Sequence, residues 1–399
     1  MTDDPKTRPT ITLPPGRHKR AAAGHPWVYS NEIVMDAAAK ALPPGSLVTL
    51  RQAGGEALGV ATFNPHTLVA ARILDREAKR RIDRDFFAAR LERALTLRRR
   101  LYGEPHYRLV HAEADGLPGI AADRFGDVLV AQLNTAGMAL LESEFLAACD
   151  AVLAPRAVVL RNDSPARSLE GLEPETRIVK GEIAGPVELV ENGTRFLADV
   201  GEGQKTGWFF DQRENRRFVA TLCAGARVLD LYCFSGGFAV QAARGGADRV
   251  LALDSSEPAL ALAAAAAELN GVGERCRFQR ADAFGEVARL VDAAERFDVV
   301  IADPPAFVKS KKDLGPGLRG YRKLARLAAS LVAPGGVLFI ASCSHNVEPP
   351  DFAEAVRRGL EDAGRGGRIV VSAGAAPDHP VHPWLPESAY LKAQVLTLD

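Results

Sequence analysis

From about residue 191 the chain alternates short apolar runs with helix-patterned stretches, and no other feature of its 399 residues limits the fold as much. The runs Val228–Leu231, Val250–Leu253, Cys276–Gln279, Val299–Ala302 and Val337–Ala341 are short and almost continuously apolar, as strands buried on both faces are. Between them Phe238–Arg244, Pro258–Asn270, Phe284–Ala294 and Tyr321–Val332 carry helical spacing. Buried strands separated by helices predict a doubly wound α/β sheet.

The first 190 residues read differently. Ser46–Leu50 and Leu58–Phe63 flank Gly54-Gly55, a hairpin signal, and Thr67–Leu74 adds a third strand-like run. Residues 1–75 therefore form a unit the size of a small β-barrel. Near its start lie Arg17, Lys19 and Arg20, and His25–Tyr29 reads as a set of exposed aromatics. From Asp83 to Leu101 the apolar residues recur at helical spacing, with Asp83 as cap and Arg98–Arg100 in the last turn, where the helix dipole favours cations. Strands at Val128–Leu133 and Val158–Leu160 follow, and the acidic run Glu170–Glu175 reads as a solvated loop. Residues 76–190 form a central α+β domain, and residues 191–399 the α/β domain.

Hydrophobic content of 47% with 25% charged residues excludes a disordered or fibrous chain. Five widely spaced cysteines without a C-x-x-C pair make neither a zinc pattern nor a disulfide framework, so no metal is expected and a cytoplasmic setting is. The polar residues 1–9 do not read as a signal peptide, and no run suits a membrane span. The zero net charge hides a gradient. Residues 1–100 carry eighteen basic against ten acidic residues, whereas 101–199 carry eight against sixteen. Such asymmetry marks chains that contact nucleic acid.

Ligands of doubly wound sheets bind beyond the carboxyl ends of the strands. Here the first strand runs into Asp230-Leu231-Tyr232-Cys233-Phe234-Ser235-Gly236-Gly237, whose small turn lets backbone approach a ligand. Asp254, Asp282 and Asp303 follow the next three strands. Any one of them is equally a turn former or helix cap; four in succession point to a site. A carboxylate at Asp254 suits ribose hydroxyls, and one at Asp282 an adenine amino group. The pattern resembles the class I S-adenosylmethionine (SAM) methyltransferases, with a Rossmann-like fold. The resemblance assigns Asp230, Phe234, Ser235, Gly236 and Gly237 to the methionine part, Asp254 with Ser255 to the ribose, and Asp282 with Ala283 to the adenine. An NAD site would need three spaced glycines, which are missing.

Asp303-Pro304-Pro305-Ala306-Phe307 ends the fourth strand and Ser342-Cys343-Ser344 the fifth. A thiol beside a hydrogen-bonding acid suits alkylation of pyrimidine carbon 5, because thiolate addition at carbon 6 turns carbon 5 into a nucleophile. Cys343 is the candidate nucleophile and Asp303 the acid that binds N3. A lone strand-end cysteine is more often packing, but the flanking serines make a polar setting. Cys149, Cys223, Cys233 and Cys276 read as structural. Lys309, Lys311, Lys312, Arg319, Arg322, Lys323 and Arg326 follow with only Asp313 opposing them, next to a Gly/Pro-containing segment, Leu314–Gly320, that reads as a mobile loop. Such a run is often only a solvated face; beside this motif it suits phosphates.

Asp115-Gly116-Leu117-Pro118-Gly119, Gly203-Gln204-Lys205-Thr206-Gly207-Trp208-Phe209-Phe210-Asp211-Gln212-Arg213, D-P-P-A-F and S-C-S, in this order, resemble the RlmI-like large-subunit ribosomal RNA (cytosine-5) methyltransferases over almost the whole chain. That resemblance implies a PUA-like RNA-binding domain at the N-terminus, Lys205 near RNA, Arg213 as candidate for the SAM carboxylate, ribosomal RNA as partner, and leaves a homodimer open. Ala306 departs from the aromatic that amino-group methyltransferases place directly after D-P-P, and no second cysteine adjoins that motif. A guanine N-methyltransferase and a non-catalytic assembly factor remain alternatives.

Overall fold

The computed structural model describes residues 3–201 and 206–399, and the chain divides into two compact units. The first holds Met1–Val187, Asp199–Trp208 and Asp378–Pro386. Its N-terminal five-stranded sheet is ordered Thr10–Leu13, Ser46–Gln52, Ala57–Phe63, Val69–Asp75, Trp27–Tyr29, around a core that includes Leu13, Val48, Leu50 and Phe63. The predicted hairpin is present, with Arg51 opposite Ala57. The second sheet is ordered Glu175–Lys180, Ala157–Asn162, Val128–Leu133, Ile120–Phe125, His106–His111. The helix Arg84–Leu101 packs its Phe86, Phe87 and Leu91 into the same core as this sheet, and the Asp83 carboxylate caps it by accepting from Phe86 N at 3.2 Å.

Two expectations fail in this unit. His25–Tyr29 is no exposed aromatic platform: His25 and Val28 are buried, and Trp27 Nε1 donates to Glu113 Oε1 at 2.7 Å. The acidic segment is not wholly solvated either. Glu170 is 6% exposed because it accepts from Arg72 Nη1 at 2.7 Å and Asn64 Nδ2 at 3.0 Å. A half-buried arginine gains from an anion, and the partner came from a segment 98 residues away.

The second unit, Glu188–Ala198, Phe209–Pro377 and Glu387–Asp399, is built on a seven-stranded sheet. Its strands are β1 (Arg227–Leu231), β2 (Arg249–Asp254), β3 (Cys276–Arg280), β4 (Phe297–Ala302), β5 (Val332–Ser342), β6 (Gly367–Ala373) and β7 (Lys392–Leu398). The order is β3-β2-β1-β4-β5-β7-β6, with β7 antiparallel to both neighbours. Order reverses between β1 and β4, so a crevice opens beyond their carboxyl ends. The helices are α1 (Arg213–Ala220), α2 (Gly237–Arg244), α3 (Glu257–Leu269), α4 (Ala283–Asp292), α5 (Leu314–Leu331) and α6 (Pro349–Asp362). Strands β6 and β7 had no clear sequence signal.

The segment Leu314–Gly320, expected as a mobile loop, is the first two turns of α5. Pro316 is tolerated because first-turn N–H groups have no intrahelical partner. Gly317 is buried where a Cβ would stand 2.2 Å from Val308 Cγ2, so the glycine permits close packing and does not loosen the chain.

Candidate functional site

The turn after β1 departs from ordinary backbone geometry. Tyr232 (φ 65°), Phe234 (φ 49°) and Gly236 (φ 80°) take left-handed conformations. Non-glycine residues there cost on the order of 1–3 kcal/mol and gather at functional sites. The surroundings enforce the shape. Phe234 N donates to Asp254 Oδ2 at 2.9 Å and Cys233 N donates to Leu253 O at 3.0 Å. Gly236 and Gly237 are buried, and side chains there would collide with Ala263 Cβ (2.8 Å) and Arg216 Nε (2.6 Å) respectively.

The four acids stand at the carboxyl ends of the four adjacent parallel strands β3, β2, β1 and β4. Asp230 is 1% exposed. Neither of its carboxylate oxygens has a hydrogen-bond partner of normal geometry among the described residues, and the same holds for Ser235 Oγ. Burial, then the neighbouring Asp303 carboxylate, push the Asp230 pKa well up. Asp254, half-buried, also accepts from Ser256 N at 2.8 Å, with Ser255 exposed beside it. Asp282 is exposed and caps α4, accepting from Gly285 N at 2.8 Å, while Ala283 is buried. Asp303 is half-buried directly after β4. A buried carboxylate and hydroxyl that make no hydrogen bond of normal geometry among the described residues fit a ligand that brings a cation and donors. A donor whose methionine part carries an ammonium meets that description.

Beside Asp303 lies the end of β5. Strands β4 and β5 pair in parallel, with Ala302 opposite Ile340. Cys343 is half-buried, its Sγ 3.9 Å from Pro304 O. Its two serine neighbours are buried in a polar network instead of facing solvent. Tyr321 Oη lies 2.8 Å from both Ser342 Oγ and Ser344 Oγ, and Val308 N donates to Ser344 Oγ at 3.1 Å. The other thiols are poor nucleophiles. Burial pushes Cys223 and Cys276 up to about 12, and Cys149 and Cys233 are raised for the same reason. A cleft of about 370 Å³ opens alongside, lined by Phe284, Phe307, Lys309, Asp313 and the Pro316-Gly317 turn. Phe307 stacks toward Tyr321 at 4.7 Å.

Several groups here carried no sequence signal. Lys392, at the start of β7, is buried and donates from Nζ to Ser344 O at 2.6 Å. Tyr390 Oη donates to Asp211 Oδ2 at 2.5 Å and its ring stacks on His345 at 4.9 Å. Glu191 is buried behind the Gly-rich turn, accepting from Arg216 Nη1 at 2.9 Å and Gln241 Nε2 at 3.0 Å. Arg213 is buried against the same carboxylate, its Nε 3.6 Å from Glu191 Oε2.

The basic residues divide. Lys309, Lys311, Lys312 and Arg319 are exposed. Lys323 is exposed with its Nζ 4.9 Å from the Phe284 ring centre. Arg322 is not opposed by Asp313 alone, since Asp362 on α6 holds it through bonds of 2.6 and 2.7 Å. In the first unit Arg17 and Lys19 are exposed, and Arg20 pairs with Glu32 at 3.1 Å over the Tyr29 ring. Lys205, with Gly203 and Gln204, lies outside the described residues. Among the described residues no His, Cys, Asp and Glu cluster is arranged to hold a metal ion, and no helix is long and apolar enough to cross a membrane.

The family described as S-adenosylmethionine-dependent methyltransferase matches residues 161–370, and a PUA-like domain matches residues 11–76. The ribosomal RNA large subunit methyltransferase I of Erwinia tasmaniensis is 36% identical over 388 residues, covering 96% of this chain and 97% of its own. That of Vibrio cholerae is 37% identical, with coverage of 96% and 98%. Among solved structures, SMU.776 complexed with SAH superposes with a TM-score of 0.83 at 20% identity, covering 98% of this chain and all of its own. A SAM-dependent methyltransferase from Streptococcus mutans gives 0.82, also at 20% identity and with the same coverage of both chains. With the site's geometry and near-complete coverage by these relatives, the chain belongs to the S-adenosylmethionine-dependent methyltransferase family, in the group of the ribosomal RNA large subunit methyltransferases I.

Proposed function

We propose that the protein methylates carbon 5 of a cytosine in large-subunit (23S) ribosomal RNA, with Cys343 as nucleophile. The observation that carries this reading is the pairing of β4 with β5, which sets the half-buried Cys343 thiol beside the D-P-P segment that begins at Asp303. SAM supplies the methyl group as a sulfonium that leaves as a neutral thioether.

The chain's own residues do the rest. Asp230 and the Phe234–Gly237 turn receive the methionine part, Asp254 with Ser255 the ribose, and Asp282 with Ala283 the adenine. Arg213 is assigned to the donor's carboxylate, shared with Glu191. Asp303 donates a proton to N3 while the Cys343 thiolate bonds to carbon 6, leaving carbon 5 electron-rich. After carbon 5 takes the methyl group, its proton passes to water. The carbon–sulfur bond then breaks, the thiolate departs, and N3 returns its proton to Asp303. The target base must first be unstacked from the RNA. Lys309, Lys311, Lys312 and Lys323 beside the cleft, and Arg17, Lys19 and Arg20 on the PUA-like domain, supply phosphate contacts; Lys205 is assigned with them from its sequence position. Arg322 would first have to release Asp362. The setting of the reaction is the cytoplasm, and a homodimer is compatible with it.

Incubating the protein with SAM and RNA containing 5-fluorocytidine tests the mechanism. The fluorine blocks departure from carbon 5, so a covalent protein–RNA complex should accumulate and vanish in Cys343→Ala. Methyl transfer that survives Cys343→Ala would overturn the thiolate route and favour a guanine target.

A further inference from the structure

Lysine is almost never fully buried unless its charge is answered. Lys392 is 7% exposed, and among the described residues it makes no ion pair. Among the described residues its ammonium donates to a backbone carbonyl, Ser344 O, at 2.6 Å. The placement follows from sheet register. Strand β7 runs antiparallel to β5 with Lys392 opposite Ser342, so the ammonium lies across from the Ser342-Cys343-Ser344 strand end. Burial lowers the lysine's pKa, while the Cys343 thiolate and Glu348 both act to hold the proton on it. Tyr321, Ser342 and Ser344, which hydrogen-bond to one another at that strand end, are neutral hydroxyls.

We propose that Lys392 is a positioning residue for the nucleophile: its buried ammonium fixes the Ser344 carbonyl and stabilises the Cys343 thiolate. The inference rests on Cys343 acting as the nucleophile. A free cysteine is only a few per cent thiolate at neutral pH, whereas the proposed reaction uses the thiolate twice, as attacking group and as leaving group. A fixed cation at the strand end serves both steps, because each creates or consumes the same negative sulfur. It also accounts for a charge being sealed at this place, where a hydrophobic residue would otherwise continue the apolar β7 strand. The charged and titratable groups around the pair include Glu348 beside the lysine, Tyr321 and Asp303 beside the cysteine, and His345 just beyond the cysteine, stacked on Tyr390, which bonds Asp211.

The test is the pH dependence of Cys343 alkylation by iodoacetamide in the full-length protein, followed on the Cys343 peptide by mass spectrometry. Lys392→Gln keeps a donor for the Ser344 carbonyl and removes the charge; Lys392→Met removes both, and Lys392→Arg restores the charge. An opposite charge close to a titrating group shifts it by about one to three units. The alkylation midpoint should therefore rise by about one pH unit or more in Lys392→Gln and Lys392→Met, and return toward wild type in Lys392→Arg. A midpoint in Lys392→Gln equal to that of wild type, in protein that still binds SAM by calorimetry, overturns the proposal. Should Lys392→Met not fold, the Gln and Arg variants decide alone. The alkylation profile and the 5-fluorocytidine complex fail separately. A shifted midpoint without any wild-type RNA adduct sinks the nucleophile reading, whereas a wild-type adduct with unshifted variant midpoints sinks the role of Lys392.

Discussion

Asp230 is held in an environment hostile to its charge: sealed from water, near Asp303, and with both oxygens lacking a normal hydrogen bond among the described residues. Its folded pKa is raised above the ordinary carboxylate value near 3.9. The sign of the linkage follows. Stability from this group is fully present below about pH 4 and is lost as pH rises toward the folded pKa, at about 1.4 kcal/mol per pH unit. Asp230→Asn should therefore melt above wild type at pH 7–8 without SAM, with the gap closing toward pH 4. Added SAM should reverse the order, since its ammonium answers the aspartate and not the asparagine. Thermal melts across that pH range check both; a gap that is constant with pH would show that Asp230 is not the titrating group. A ligand acid that destabilises the empty protein is the expected exchange of stability for function.

At the scale of elements, helix α5 shows why local rules misjudged one segment. Gly315-Pro316-Gly317 reads as a loop because glycine and proline are poor helix formers. The 3-10 turn Lys311–Asp313 that runs into α5, capped by Ser310 with Ser310 N donating to Asp313 Oδ2 at 3.0 Å, and the packing of Gly317 against Val308 override that preference. Two substitutions separate the effects. Gly315→Ala meets nothing closer than Arg319 Nη1 at 3.6 Å and should stabilise by about 0.5–1 kcal/mol. Gly317→Ala, facing Val308 Cγ2 at 2.2 Å and Phe307 O at 3.0 Å, should destabilise by about 1–3 kcal/mol and lower activity by moving the D-P-P-A-F segment. Denaturant unfolding of both variants is the measurement, and equal signs would contradict the packing argument.

For the whole molecule, net neutrality conceals a partition of charge by task. Acids stand at the ends of β1 to β4, while exposed lysines gather beside the cleft after β4. If Lys309, Lys311 and Lys312 each neutralise one phosphate of single-stranded RNA, replacing all three by alanine should reduce the slope of log affinity against log salt by about 2. Binding of a ribosomal RNA fragment measured from 50 to 200 mM salt tests this. An unchanged slope would assign these lysines to solvent.

Much of this was legible in the chain itself. Strand–helix alternation, the four strand-end acids, the Asp83 cap and the Arg84–Leu101 helix depend on periodicity and short-range chemistry, which are local properties. The partners of charged groups are not local. Arg72 found Glu170, Arg322 found Asp362, and Arg213 came to rest on Glu191, each across a distance no motif encodes. The same holds for Lys392 and Tyr390, which had no motif around them and reached the β5 end only because β7 inserts antiparallel between β5 and β6. Local pattern is enough to say which residue types stand at the strand ends. Tertiary structure alone decided which ends adjoin and which charges are already answered, because strand order and long-range ion pairs are set by packing across the whole sheet.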